Sequence, residues 1–114
     1  MSGITTHVLD TSKGEPARGV PVALEKLMAG GEWKLLGRGA TDSDGRIKDL
    51  LPAGSGLSRG TYRLLFDTAA YFQASKVEGF YPEVQVLFEV RDPSRHHHVP
   101  LLLSPFGYST YRGS

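Results

Sequence analysis

In residues 83–90, Glu-Val-Gln-Val-Leu-Phe-Glu-Val, apolar side chains recur at every second position. Val84, Val86, Phe88 and Val90 alternate with Glu83, Gln85, Leu87 and Glu89. That period sends successive side chains to opposite sides of an extended backbone, so the segment is predicted to be a strand with one buried face. The same period returns at Tyr62, Leu64 and Phe66, at Val20, Val22 and Leu24, and at Val99, Leu101 and Leu103. Trp33 and Leu35 open a further strand after the turn Ala29-Gly30-Gly31, and residues 5–10 make a sixth. Pro21, which lacks an amide proton for a ladder, points to a strand at a sheet edge.

Turn chemistry separates these runs. Ser12-Lys13-Gly14-Glu15-Pro16 and Asp42-Ser43-Asp44-Gly45 are compact polar turns, and residues 52–60 are a looser connection. Only Asp67 to Lys76 has the composition of a helix, with Asp67 or Thr68 as its N-cap. Many short strands and one short helix predict an all-β chain folded as an antiparallel sandwich. A chain of 114 residues suits one domain spanning 1–114.

Charge and composition narrow the function. Thirteen basic residues against twelve acidic ones give a net charge of +1, without any Lys/Arg run, so nucleic acid is not an expected partner. No apolar stretch approaches the ~18 residues of a membrane helix. The opening residues lack a basic segment followed by a long apolar run, so no secretory leader and a cytoplasmic location are expected. The chain contains no cysteine, which removes disulfides, thiolate nucleophiles and cysteine metal sites together. Asp42-Ser43-Asp44-Gly45 resembles the start of a calcium loop, but the later ligands are missing at the required spacing. Gly54-Ser55-Gly56 lacks the strand and helix that would make it a phosphate loop.

Chemistry is concentrated in His96-His97-His98-Val99-Pro100-Leu101-Leu102-Leu103. As a strand it sends Val99, Leu101 and Leu103 to the core, and His96, His98 and Pro100 to the other face. His97 should then point toward the core. His7, between Thr6 and Val8, lies on the side away from the core, and Arg46 follows the turn at Asp44-Gly45. An arginine fork suits a planar, oxygen-rich substrate, because its donors pair with two oxygens at once. Tyr108 and Tyr111, in the tail that leaves this strand, carry large apolar areas that favour an ordered tail.

Taken together these segments resemble the 5-hydroxyisourate hydrolases, enzymatic relatives of the carrier transthyretin. The likeness runs through Thr6-His7-Val8-Leu9-Asp10, Thr41-Asp42-Ser43-Asp44-Gly45-Arg46 and Phe80-Tyr81-Pro82-Glu83-Val84. It ends in His98-Val99-Pro100-Leu101-Leu102-Leu103-Ser104 and Tyr108-Ser109-Thr110-Tyr111-Arg112-Gly113-Ser114. The resemblance implies a transthyretin-like Greek-key sandwich of about eight strands with one short helix. It also implies a homotetramer with active sites at subunit interfaces. By position it implies that His7, Arg46 and His98 are catalytic and that Tyr111, Arg112, Gly113 and Ser114 line the pocket. The implied reaction opens a cyclic amide of 5-hydroxyisourate with water and without cofactor or metal, giving an imidazoline that carries a carboxylate and a ureido group. His97 departs from the family pattern, which commonly has an aromatic residue there. Two rivals stand beside this reading. A zinc hydrolase would use His96, His98 and His7 as ligands, and a carrier would bind a small aromatic molecule without chemistry.

Overall fold

The structure, a computed structural model, describes residues 3–52 and 54–114. Met1 and Ser2, in the opening read for a leader, and Ala53, in the looser connection, lie outside the described residues. Among the described residues nine strands and one helix follow in chain order: β1 (Gly3–Asp10), β2 (Glu15–Pro16), β3 (Pro21–Leu27), β4 (Trp33–Ala40), β5 (Arg46–Ile47), β6 (Gly60–Phe66), α1 (Thr68–Ala74), β7 (Val84–Val90), β8 (His96–Ser104) and β9 (Gly107–Thr110). One sheet runs β2-β1-β8-β9 with β5 added on β1, and the other runs β4-β3-β6-β7. The expected all-β sandwich is present, and the two short strands β2 and β5 bring the count to nine.

The alternation identifies the buried faces. Ile4 and Val8 of β1 and Leu101 and Leu103 of β8 meet Val22, Leu24, Leu64, Phe66, Val84 and Val90 in one apolar core. Each such side chain contributes about 1.5–3 kcal/mol by leaving water. Buried Thr6 shares this face, and its hydroxyl donates to the Val99 carbonyl at 2.6 Å.

Three expectations need correction. Pro21 does not mark an edge strand: it is the first residue of β3, which lies inside its sheet between β4 and β6. The sandwich is not purely antiparallel, because β1 and β8 run parallel from Gly3 opposite His96 to Asp10 opposite Leu103. Parallel neighbours require a long crossover instead of a hairpin, and here the whole second sheet lies between them in sequence. Local turn signals cannot encode such a pairing. The helix is also shorter than expected. Its N-cap is Asp67, whose carboxylate accepts from the Ala70 amide at 3.0 Å, and it ends before Ser75 and Lys76. Tyr71 on its buried side donates to Asp10 Oδ2 at 2.7 Å, fastening the helix to the end of β1. Burial works against the Asp10 charge, but the Ser12 and Tyr71 hydroxyls and the Lys13 and Ser12 amides outweigh it and keep the carboxyl below its ordinary range.

β4 is an edge strand whose large side chains stay near the surface, with Leu35 43% exposed. Trp33 is covered on one face by the Arg63 guanidinium, 4.1 Å from the ring centre. Gly37 is required by close approach, since a Cβ there would fall 1.7 Å from the Leu50 carbonyl oxygen.

Candidate active site

The outward face of β1 and β8 gathers the polar residues. In the parallel register Thr5 lies opposite His98 and His7 opposite Pro100, so these side chains share one side of the sheet. β5 then sets Arg46 directly opposite His7. Arg46 is held by its turn: Asp42 Oδ1 accepts from the Asp44 amide at 2.9 Å and from the Arg46 amide at 3.0 Å. The bond from the Arg46 amide leads the influences that keep the Asp42 carboxyl below its ordinary range. Gly45 has φ of 75°, and a Cβ on it would meet the Val8 carbonyl oxygen at 2.4 Å. The segment that imitates a calcium loop is therefore an arginine-positioning turn.

A depression of about 330 Å³ opens over this face, lined by Thr5, Arg46, Lys48, His96, His98 and Ser114 among others. His98 is half-buried. Burial first, then the neighbouring Arg46, His7 and His96, hold its imidazole below the ordinary histidine value. It is thus neutral near pH 7, as a proton acceptor must be. Arg46 and Lys48 supply positive charge for an oxygen-rich ligand.

The tail folds back along β8. The Gly113 amide donates to the His98 carbonyl at 2.9 Å, in the register that the β8–β9 ladder continues. A Cβ on Gly113 would lie 2.5 Å from His98 Cδ2 and 3.2 Å from Pro100 Cγ. Only glycine lets the tail lie this close to the imidazole. Of the residues singled out in the sequence, Arg46, His98 and Ser114 line the same depression, His7 stands beside it opposite Arg46, and Gly113 packs on His98. Tyr111 and Arg112 line a different groove, between β7 and the tail, together with His97 and His98. The large tyrosines are less covered than their area suggested: Tyr108 is 43% and Tyr111 58% exposed in the single chain.

Thr5 and Lys48 escaped the sequence reading. Alternation already places Thr5 on the face of His7, two residues before it, and Lys48 two residues after Arg46. Neither residue type attracts notice without the β1–β8 and β1–β5 pairings. Among the described residues no group of three His, Cys, Asp or Glu side chains is arranged to hold a metal ion. His96 Nε2 and His98 Nδ1 both lie 2.8 Å from the Thr5 hydroxyl.

His97 points coreward as alternation requires and is buried, with Nδ1 unpartnered among the described residues. Burial first, and then Arg112, push its imidazole below the ordinary value. A histidine that stays neutral when folded binds a proton more readily when unfolded. Stability is therefore unaffected above the ordinary value of ~6.5 and falls as pH drops below it. Replacing His97 by Phe removes the orphaned nitrogen and is expected to raise unfolding free energy by about 1 kcal/mol. Urea titrations should show the gain growing between neutral and mildly acidic pH, and a destabilised variant would mean that Nδ1 has a partner in the assembled protein.

Comparison with known proteins places this geometry in context. A family model described as the HIUase/Transthyretin family matches residues 4–113. A 5-hydroxyisourate hydrolase of Salmonella dublin is 48% identical over 111 residues, 97% of this chain and 80% of the relative. The structure of Klebsiella pneumoniae 5-hydroxyisourate hydrolase superposes with a TM-score of 0.84 at 38% identity, covering 100% of this chain and 94% of that one. Sea bream transthyretin in complex with thyroxine superposes with a TM-score of 0.90 at 33% identity, covering 96% and 93%. Likeness of fold alone does not separate hydrolase from carrier.

Proposed function

The chain belongs to the HIUase/Transthyretin family, and from that membership we propose that it hydrolyses 5-hydroxyisourate in urate degradation. The single observation that carries this reading over the carrier is the convergence of Arg46, His98 and Ser114 on one depression, with His7 beside it. A carrier needs shape and apolar surface, whereas this set offers a neutral base beside a cation.

In the proposed reaction the substrate lies over the face of β1 and β8. His98 takes a proton from water as the water oxygen bonds to a ring carbonyl carbon. Arg46 stabilises the negative charge that develops on the carbonyl oxygen by turning its guanidinium donors to it. The carbon–nitrogen bond then breaks and the proton passes to the leaving nitrogen, with His7 orienting water or substrate. Ser114 bounds the pocket next to His98, and Tyr111 and Arg112 border it from the adjoining groove. No metal or cofactor is used, so activity is expected to survive exhaustive chelation.

The proposal includes a homotetramer with sites between subunits. Leu87 on β7 and Phe106 and Tyr108 around β9 are exposed apolar side chains at sheet edges, which supports their cover by further copies. No described helix is long and apolar enough to cross a membrane. A chain free of cysteine has no disulfide to lose under reducing conditions, and the reading places it in the cytoplasm.

The test is to oxidise urate enzymatically with the protein present. Loss of 5-hydroxyisourate absorbance should outpace spontaneous decay, and an unchanged decay would overturn the proposal. The pH dependence gives a second expectation. Because His98 is held below its ordinary value, activity should persist through neutrality and decline only as pH falls past a point below ~6.5. A rate that rises as pH falls from 8 to about 5 with the fold intact would exclude a histidine base.

A further inference from the structure

Thr5 lies opposite His98 across the parallel strands β1 and β8. Its Oγ1 is 2.8 Å from His98 Nδ1 and 2.8 Å from His96 Nε2. The two imidazoles lie 6.5 Å apart with their planes inclined by only 22°. A threonine hydroxyl has one proton to donate and two lone pairs with which to accept. It can therefore donate to one imidazole only, and toward the other it has to accept.

The two rings differ in what each arrangement costs. His96 is exposed, so water can satisfy its second nitrogen in either tautomer. His98 is half-buried, its Cδ2 edge lies against Gly113, and it shares the depression with Arg46. A guanidinium near the ring favours a lone pair over an N–H on the pocket side. The lower-energy arrangement has Thr5 donating to His96 Nε2 and accepting from His98 Nδ1–H.

We propose that Thr5 is a positioning residue that locks His98 in the Nδ1–H tautomer, leaving Nε2 bare to take the proton from water, with His96 as the acceptor that turns the hydroxyl. The hydrogen bond at one ring nitrogen decides the state of the other, and an unconstrained histidine favours the Nε2–H form, which cannot act as base at that atom. The inference rests on the hydrolase reading above and adds a residue and a protonation state to it.

The experiment pairs a spectrum with kinetics. Two-bond ¹H–¹⁵N correlations of the histidine rings at about pH 8, where the His98 imidazole is neutral, report its tautomer directly. The unaltered protein should show His98 as Nδ1–H, and Thr5→Val, which preserves shape and β-branching, should shift it toward Nε2–H. In the same variant kcat should fall about 10–100-fold, the usual cost of losing a partner that orients a functional histidine, with KM little changed. Thr5→Ser, which restores the hydroxyl, should recover most of the rate and the original spectrum. A native His98 in the Nε2–H form, or a Thr5→Val protein with native tautomer and native kcat, would overturn the assignment. If the spectra match and no hydrolysis is seen in any form, the tautomer lock stands and the hydrolase reading fails.

Discussion

Replacing His98 by Ala is expected to lower kcat by ~10²–10⁴, the range for loss of a general base, while the protein remains folded. Stability should hold because the core face of β8 is carried by His97, Val99, Leu101 and Leu103, and the backbone bond from Gly113 is made to the His98 carbonyl rather than to its ring. The comparison that sharpens the test is His97→Phe, one residue earlier and on the opposite face. It should keep kcat near the native value, since His97 reaches neither Arg46 nor Thr5 in the depression. Equal losses in the two variants would mean that the outer face of β8 is not where water is activated. Steady-state kinetics, with circular dichroism to confirm the fold, separate the outcomes.

Deleting Tyr111 to Ser114 should be nearly as damaging, and Gly113→Ala gives the finer version of the same test. The deletion removes Ser114 from the depression, uncovers Pro100 and leaves the His98 carbonyl without its Gly113 partner. Gly113→Ala keeps every residue but inserts a methyl group 2.5 Å from His98 Cδ2, so either the imidazole or the tail must move. A displacement of about 1 Å at a reacting group can cost on the order of 10²-fold in rate. Both changes are therefore expected to reduce kcat by about two orders of magnitude with little change in melting temperature. A Gly113→Ala protein with native kinetics would show that His98 tolerates the shift and that the tail serves only as cover.

Much of this arrangement is legible in the residues. Period-two alternation locates β3, β6, β7 and β8 and assigns their buried faces, because a sheet with one wet side forces that pattern. It also puts His97 inward and His98 outward, as observed. What remains hidden is whatever depends on partners far away in sequence. The parallel pairing of β1 with β8 has no local turn to announce it, and without that pairing Thr5 is an ordinary strand threonine. The short β5 owes its existence to β1, so the meeting of Arg46 with His7 comes from the resemblance and not from spacing. Tyr111 shows the reverse error: its area suggests burial, yet in one chain it stays largely in water, because burial of an edge residue depends on what lies beyond the edge.

The parallel ladder also governs when the candidate site can come together as the chain is made. β3, β4, β6 and β7 pair only with one another and can assemble before β8 is made, whereas β1, which precedes them, waits for a partner 93 residues later at the Thr5–His98 contact. Closing so long a loop is an entropic expense met late, and topologies rich in distant pairings fold over about milliseconds to seconds. Until β8 docks, β1 carries an open edge that can template association between nascent chains. The same docking brings His98 to Thr5 and lets the tail fold back over it. Assembly of the candidate site within one chain and closure of the sandwich thus depend on the same docking, and a chain arrested before β8 has neither.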